Sequence, residues 1–283
     1  MKRRIYLEVL ACLFLCAGAA NAQSPWARSK AGFYAQAGYH FIPRYNVLFG
    51  ENNTDVVLAR EVSEATLQLY GEYGLTRKMT LIASAPYRLM KRSEANPAFL
   101  GFKGRAGSLS GIGNVSLALK RQLLSGPLSL AATLRCDLPA NRYDSETDLR
   151  LGYDAVTITP SLSAGMGFYR SYWFAYAGYG YRGNSYSHFI DAGFEAGAKL
   201  SPLWLIFFSQ WVGPFDNGDI SRPPSAFYTG LYTDQQGWLS IGMKGIWEIN
   251  RFTGFVVSFA GAARAQNVPK SPGIGLAWYF KWD

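Results

Sequence analysis

The sequence is poor in cysteine and lacks long hydrophobic runs beyond its first residues. Its 283 residues include three cysteines, two of which, Cys12 and Cys16, lie in an apolar N-terminal stretch. Cys136 is the one cysteine beyond that stretch, so the folded chain has to be stable without an internal disulfide. No run of about 18 apolar residues follows residue 22, which excludes a helical membrane anchor in the rest of the sequence.

Charged residues are also scarce. They make up 17% of the sequence, against about 25% in a typical soluble domain. Aromatic residues make up 16%, and there are 30 glycines. This composition favours a membrane β-barrel, in which only alternate residues of each strand face lipid, so the mean hydropathy stays near zero. The net charge is +9, but the basic residues are scattered. We therefore expect an anion-leaning pore or contact with lipopolysaccharide phosphates, and no binding of nucleic acid.

The N-terminus has the pattern of a secretory signal peptide. Lys2, Arg3 and Arg4 form a positive region, an apolar run follows, and the triplet 20–22 (Ala-Asn-Ala) is a small-x-small cleavage site. We predict that residues 1–22 are cleaved as a signal peptide and that residues 23–283 form the mature domain.

Two periodic patterns predict the fold of the mature chain. Segments of about ten residues alternate apolar with polar or small side chains, which is the period of a strand with one apolar face. The connections between them alternate between short and long, as in outer-membrane barrels with short periplasmic turns and long external loops. We therefore predict an all-β, transmembrane antiparallel β-barrel of about twelve strands in the outer membrane, with both termini periplasmic; a soluble β-sandwich is the alternative. The predicted strands are 31–41, 64–75, 79–89, 115–123, 128–138, 156–168, 172–181, 189–200, 203–213, 238–249, 253–263 and 272–282.

The last predicted strand carries a further signal. Its apolar residues Ile274, Leu276, Trp278, Phe280 and Trp282 share one face and end one residue before the C-terminus. Such a strand resembles the segment that the outer-membrane barrel assembly machinery recognises, although these signals usually end on the aromatic residue. We expect this machinery, outer-membrane lipid with lipopolysaccharide, and a small-molecule solute to be the partners of the protein.

The strand pattern directs charged residues of both signs into the lumen. Charges facing hydrocarbon cost roughly 2–4 kcal/mol for Arg or Lys near the midplane, so they turn inward whatever the function. The interleaved charges fit either a mutually neutralising plug of ion pairs or a selectivity filter. In strand 172–181 the pattern leaves it open whether Phe174 and Tyr176 face lumen or lipid. The candidate lumen charge cluster consists of Glu64, Glu72, Lys120, Arg135, Asp137, Glu195, Lys199 and Lys244.

Three functional classes fit such a barrel. The first is a channel for passive passage of small solutes, which needs no cofactor and no metal. The second is a lipid hydrolase at the barrel rim, for which His188, Ser185, Ser187 and Asp191 are the nearest candidate residues; the deacylase pattern has a serine where Ile190 stands. The third is a closed structural or adhesive barrel whose loops bind ligands. We predict the channel, and no enzyme.

Several hairpins resemble a known barrel family. The segment 72–81 (Glu-Tyr-Gly-Leu-Thr-Arg-Lys-Met-Thr-Leu), the segment 111–114 (Gly-Ile-Gly-Asn) leading to Lys120, and segments 137–140 and 177–182 are similar to signatures of one group. This group is the outer-membrane transporter family named for the meta-cleavage pathway of phenol degradation. Asn114 and Ala140 depart from the family pattern, which has Asp and Thr there. The resemblance implies a channel for small, often aromatic or hydrophobic solutes.

Overall fold

In the computed structural model the chain forms a closed antiparallel barrel of twelve wall strands, which confirms the predicted fold class. The structure describes residues 23–50, 54–95, 105–220 and 229–282. The predicted signal peptide and Asp283 lie outside the described residues. Within those ranges, no helix is long and apolar enough to cross a membrane.

The wall is made of long strands joined by short turns at one end. The strands are β1 (Phe33–Phe49), β2 (Asp55–Gly74), β3 (Met79–Ala95), β4 (Gly107–Ile112), β5 (Ser116–Leu124), β6 (Ser129–Asp137), β7 (Tyr143–Asp144), β8 (Leu149–Arg150), β9 (Thr157–Gly167), β10 (Ser171–Arg182), β11 (Phe189–Leu200), β12 (Leu203–Pro214), β13 (Gly237–Glu248), β14 (Thr253–Gln266), β15 (Val268–Pro269) and β16 (Gly273–Trp282).

The first and last strands close the barrel. β1 pairs antiparallel with β2 on one side and with β16 on the other. β4 and β5 both pair with β3, so together they form one wall strand, interrupted at residues 113–115. β15 pairs with the far end of β1, and β7 with β8 forms a small separate hairpin. The end with the short turns, where β1 begins and β16 ends, is the periplasmic end.

The outer surface of the barrel is apolar and the inner one is polar. Leu69 is 65% exposed, Met243 56% and Leu276 55%, and the alternation in the sequence places Leu69 and Leu276 on the apolar faces of their strands. Aromatic rings stack at the periplasmic end, with Phe33 and Phe280 5.6 Å apart and Phe252 and Trp282 5.2 Å apart between ring centroids. An apolar belt edged by aromatic side chains is what a barrel needs in a lipid bilayer. The protein is therefore an outer-membrane β-barrel.

The first three strands are longer than predicted. β1 continues past residue 41 to Phe49, β2 begins at Asp55 instead of residue 64, and β3 continues past residue 89 to Ala95. The residues between were expected to form long loops because the alternation of apolar residues stops there. Beyond the membrane neither face of a strand meets lipid, so backbone pairing continues without that pattern.

Candidate functional site: the barrel lumen

A segment that precedes β1 lies inside the barrel. Trp26 packs edge-on against Tyr172 and Phe174 of β10, at ring-centroid distances of 5.9 and 6.1 Å. Phe174 is buried, so it faces the lumen, which resolves the orientation left open by the sequence. The side chain of Gln23 is buried as well. We call residues 23–31 the inner segment.

Polar contacts fix the inner segment to the wall. The Arg28 Nε atom lies 2.8 Å from Glu72 Oε2, and the Arg28 backbone N–H donates to Thr80 Oγ1 at 2.9 Å. Lys120, which is fully buried, donates to Ser24 Oγ at 3.4 Å. The inner segment thus supplies partners for two of the candidate lumen residues, Glu72 and Lys120.

A second group of charges lies on β6 and β11. Arg135 is 3.4 Å from a carboxylate oxygen of Asp137 and 3.4 Å from one of Asp191. Asp191 is almost fully buried and also accepts from Gln210 Nε2 at 2.9 Å and from Tyr176 at 3.3 Å. The lumen orientation of Tyr176, which the sequence left open, follows from this contact.

Two further ion pairs connect β11 with β13 across the strand between them, β12. Lys244 Nζ lies 2.6 Å from Glu195 Oε2, and Tyr172 donates to the other oxygen of Glu195 at 2.8 Å. Nearer the periplasmic end, Lys199 pairs with Glu248. The candidate lumen charges described so far therefore lie in several separate groups along the barrel.

The extracellular mouth is covered by inward-folded loops, which we call the roof (residues 139–156 and 229–236). Leu149, Leu151 and Leu231 of these loops pack in a buried apolar cluster with side chains from the long ends of β1, β2 and β3. Below this cluster, Glu64 pairs with Arg88. Glu64 is the last of the eight candidate charges, and it too is paired and buried.

Tyr232 links the roof to this ion pair. Its hydroxyl donates to Glu64 Oε1 at 3.3 Å, and the Arg88 guanidinium lies 4.6 Å from the centre of its ring. Tyr153 packs edge-on against Tyr232 at 5.4 Å, and it donates through its hydroxyl to Gln236 at 2.6 Å. These contacts, made by residues of loops, were not predicted, because loop sequences carry no periodic signal.

Between the inner segment and the opposite wall lies a cavity of about 530 Å³. Along β1 it extends from Tyr34 to His40, a distance of about 20 Å in an extended strand. The charged side chains that line it form the two ion pairs Arg28–Glu72 and Lys244–Glu195. Its apolar lining consists of Trp26, Phe168, Phe174, Trp204, Ile206, Phe208, Ile246 and Val256.

Three of the residues considered for a rim hydrolase, Ser187, His188 and Asp191, are each engaged with other partners. Ser187 Oγ donates to Asp234 Oδ2 at 3.1 Å, and both residues are buried. The neighbouring His188 ring packs against Tyr181 and is hydrogen-bonded through Nδ1 to the Tyr179 hydroxyl at 2.5 Å. Asp191 is engaged in the lumen with Arg135. Across the described ranges, no group of three or more His, Cys, Asp or Glu residues is arranged to hold a metal ion.

Comparison with solved structures supports the architecture. An outer-membrane channel from Pseudomonas putida F1 superposes with a TM-score of 0.65 at 13% sequence identity, covering 93% of this chain and 100% of that chain. The toluene transporter TodX from Pseudomonas putida gives a TM-score of 0.46 at 11% identity, covering 95% and 94%, a score too low to support a shared function. No family model matches the sequence, and no curated protein matches it either. The likeness defines the class of the fold, an outer-membrane β-barrel.

Proposed function

We propose that the protein is a channel for the passive passage of small, uncharged solutes with an apolar body. The observation that carries this proposal is the lumen cavity, with its apolar and aromatic lining and its paired charges. Its volume of about 530 Å³ lies in the range of about 300–1,000 Å³ that is usual for small-molecule sites. Diffusion down a gradient needs neither a cofactor nor catalysis.

The paired charges support an uncharged solute. Glu72 and Glu195 each have a cation within 2.8 Å, so neither is available to attract an ion. A charged solute would have to leave water and displace one member of these pairs, which is costly in a confined lumen. Of the two roles considered for the inward charges, mutual neutralisation therefore fits the proposed function better than a selectivity filter.

We further propose membership in the outer-membrane transporter family named for the meta-cleavage pathway of phenol degradation. The Gly-Ile-Gly-Asn segment that resembles the family lies at the interruption between β4 and β5. There the Asn114 side chain donates to the carbonyl oxygens of Leu138 and Tyr153, both at 2.8 Å. Asn114 thus fastens the base of a roof loop to the wall, because its side-chain NH₂ group donates both of these hydrogen bonds. The channel from Pseudomonas putida F1 shares the fold that this proposal requires.

Two partners complete the proposal. The outward row Ile274, Leu276, Trp278, Phe280 and Trp282 on β16 is exposed, as a strand recognised by the barrel assembly machinery requires. Outer-membrane lipid surrounds the apolar belt, and lipopolysaccharide is the expected neighbour of its extracellular edge.

The test compares an apolar probe with a hydrophilic one in whole cells. In a Gram-negative host that lacks its general porins, expression of the barrel should speed uptake of the uncharged aromatic dye N-phenyl-1-naphthylamine. Uptake of the hydrophilic anion nitrocefin, followed by a periplasmic β-lactamase, should change little. Faster nitrocefin hydrolysis without faster dye uptake would contradict the proposal.

A matched pair of variants assigns the uptake to the cavity. Ile206 lines the cavity and is buried, whereas Gln210, on the inner face of the same strand, lies outside the cavity lining and next to Asp191. Ile206→Lys places an unpaired charge in the cavity and should abolish most of the dye uptake. Gln210→Lys adds the same charge beside a carboxylate and should retain it. Equal uptake by both variants would show that the dye does not pass through the cavity.

A further inference from the structure

The wall of the cavity formed by β1 and β2 is polar, and most of its polar side chains are already hydrogen-bonded within the protein. Tyr34 donates to Gln36 Oε1 at 2.6 Å, and Tyr70 donates to Glu72 Oε1 at 2.5 Å. The amide of Gln68 donates to a serine hydroxyl of β3 at 2.6 Å. A solute therefore meets few unused hydrogen-bonding groups along this wall.

His40 differs from its neighbours on this wall. Its ring lines the cavity at the end nearer the roof, and its buried Nδ1 atom has no hydrogen-bond partner within the described part of the chain. Gly275 of β16 is its cross-strand neighbour, and a Cβ there would come within 2.7 Å of His40 Nδ1. The missing side chain thus leaves room for the ring. Because Nδ1 is buried against β16, a solute in the cavity meets the remaining edge of the imidazole, which lines it.

The rest of the cavity limits what such a bound molecule can be. Apolar side chains including Phe174, Trp204 and Phe208 line it, so the body of the solute has to be apolar. The acidic groups in the lining are already paired with cations, which disfavours a charged head group. What remains is a neutral head group that can form a hydrogen bond with an imidazole.

We propose that His40 is a specificity-determining residue that selects uncharged solutes bearing a hydroxyl group on an apolar body. A hydroxyl group can donate to an imidazole nitrogen or accept from one, so it satisfies the ring in either neutral tautomer. This inference rests on the proposed function, because it names the head group of the solute that the cavity takes up.

Three probes with one carbon skeleton test the head group: cyclohexylmethanol, methylcyclohexane and cyclohexanecarboxylate. Their binding to the refolded barrel in lipid nanodiscs is measured by calorimetry, with empty nanodiscs as the reference for partition into lipid. His40→Phe keeps a ring but removes both nitrogens. It should weaken binding of the alcohol about five-fold, the value of one net hydrogen bond, and leave binding of the alkane unchanged. The carboxylate should bind more weakly than the alcohol to the wild-type protein.

The second histidine of the chain provides the control. His188 is engaged with Tyr179 at the rim, so His188→Phe should leave the affinities for all three probes unchanged. If His40→Phe weakens the alcohol and the alkane equally, or weakens neither, the role of His40 is refuted while the channel proposal stands. If none of the probes binds the wild-type barrel, the proposed function fails as well.

A measurement on the wild-type protein does not depend on how the variant folds. With ¹⁵N-labelled histidine, the two rings give separate nitrogen resonances. Cyclohexylmethanol should shift the ring nitrogens of His40, methylcyclohexane should shift them far less, and His188 should respond to neither probe. Equal responses of His40 to the alcohol and the alkane would overturn the inference.

Discussion

Replacing Glu72 by glutamine should release the inner segment from the lumen. The carboxylate of Glu72 accepts from Arg28 Nε at 2.8 Å and from Tyr70 at 2.5 Å, and the charge of Lys120 also acts on it. The side chain of Glu72 is 5% exposed and that of Arg28 is 25% exposed. After the substitution, two cations face a neutral amide in a confined lumen.

The size of the effect follows from this burial. Removing one partner of a fully buried ion pair costs about 3–5 kcal/mol. Because a quarter of Arg28 is exposed and water screens it, we take about 2 kcal/mol. Since about 1.4 kcal/mol changes an equilibrium tenfold, the seated position of the inner segment should become about 30-fold less favoured.

Single-channel conductance in planar bilayers measures the release. Glu72→Gln should produce larger or more frequent openings than the wild-type barrel. The control is Glu195→Gln, which makes the same change in charge at a pair whose cation, Lys244, lies 2.6 Å away on the wall and not on the inner segment. If Glu72→Gln conducts like the wild-type protein, or if Glu195→Gln opens the barrel equally, the assignment of Glu72 as the anchor of the segment is refuted.

Chemical labelling gives a second readout of the same event. Ser24 lies on the inner segment near Lys120, and a cysteine there, in a Cys136→Ser background, reports whether the segment is seated. The Ser24→Cys barrel should react faster with a soluble maleimide when Glu72→Gln is also present. An unchanged rate would show that the segment stays in the lumen.

The remaining predictions concern stability, pH and the rim. Asp191→Asn removes the carboxylate shared by Arg135 and three other donors, and it should lower the free energy of unfolding by about 2–3 kcal/mol, as measured with urea in lipid vesicles. Burial raises the pKa of Asp148 in the roof. Its contribution to roof stability is therefore full below the unfolded pKa and is lost as pH rises through the folded value. Exchange of the Thr229 amide hydrogen, which Asp148 accepts at 3.2 Å, should accordingly be slower at acidic than at neutral pH after correction for intrinsic rates, and Asp148→Asn should remove the difference. His188→Ala should leave dye uptake unchanged; phospholipid hydrolysis that disappears in this variant would instead favour the rim hydrolase.

The wall of the barrel could be predicted because the bilayer imposes a pattern on it. Leu67, Leu69 and Leu276 must face lipid, and the residues between them must not, so the period of two appears directly in the sequence. The same constraint disappears beyond the membrane. There β1, β2 and β3 continue as a three-stranded extension held by backbone pairing, with Leu48, Leu58 and Val62 packed against the roof. This part of the sequence has no alternation from which the extension could be predicted.

The lumen could be predicted only in part. Inward orientation of Glu72, Lys120 and Glu195 followed from strand parity, but the partner of each one did not. Parity says which face a side chain occupies and nothing about which distant strand or segment comes near it. Arg28 precedes the first strand and Tyr232 lies in a loop, so neither belongs to a periodic pattern that would have pointed to the lumen.

The residues that restrict the lumen are therefore largely outside the strands that build it. Trp26 and Arg28 narrow the lumen from the periplasmic side. Beneath the roof, Tyr232 contacts both members of the Glu64–Arg88 ion pair. The wall is constrained by lipid on one face and by backbone pairing along its edges, so it tolerates few changes. The inner segment and the roof carry neither constraint, so the solute preference of the proposed channel could change through their residues while the barrel stays the same. Exchanging Trp26 for a smaller residue should accordingly alter which solutes pass without altering the stability of the wall.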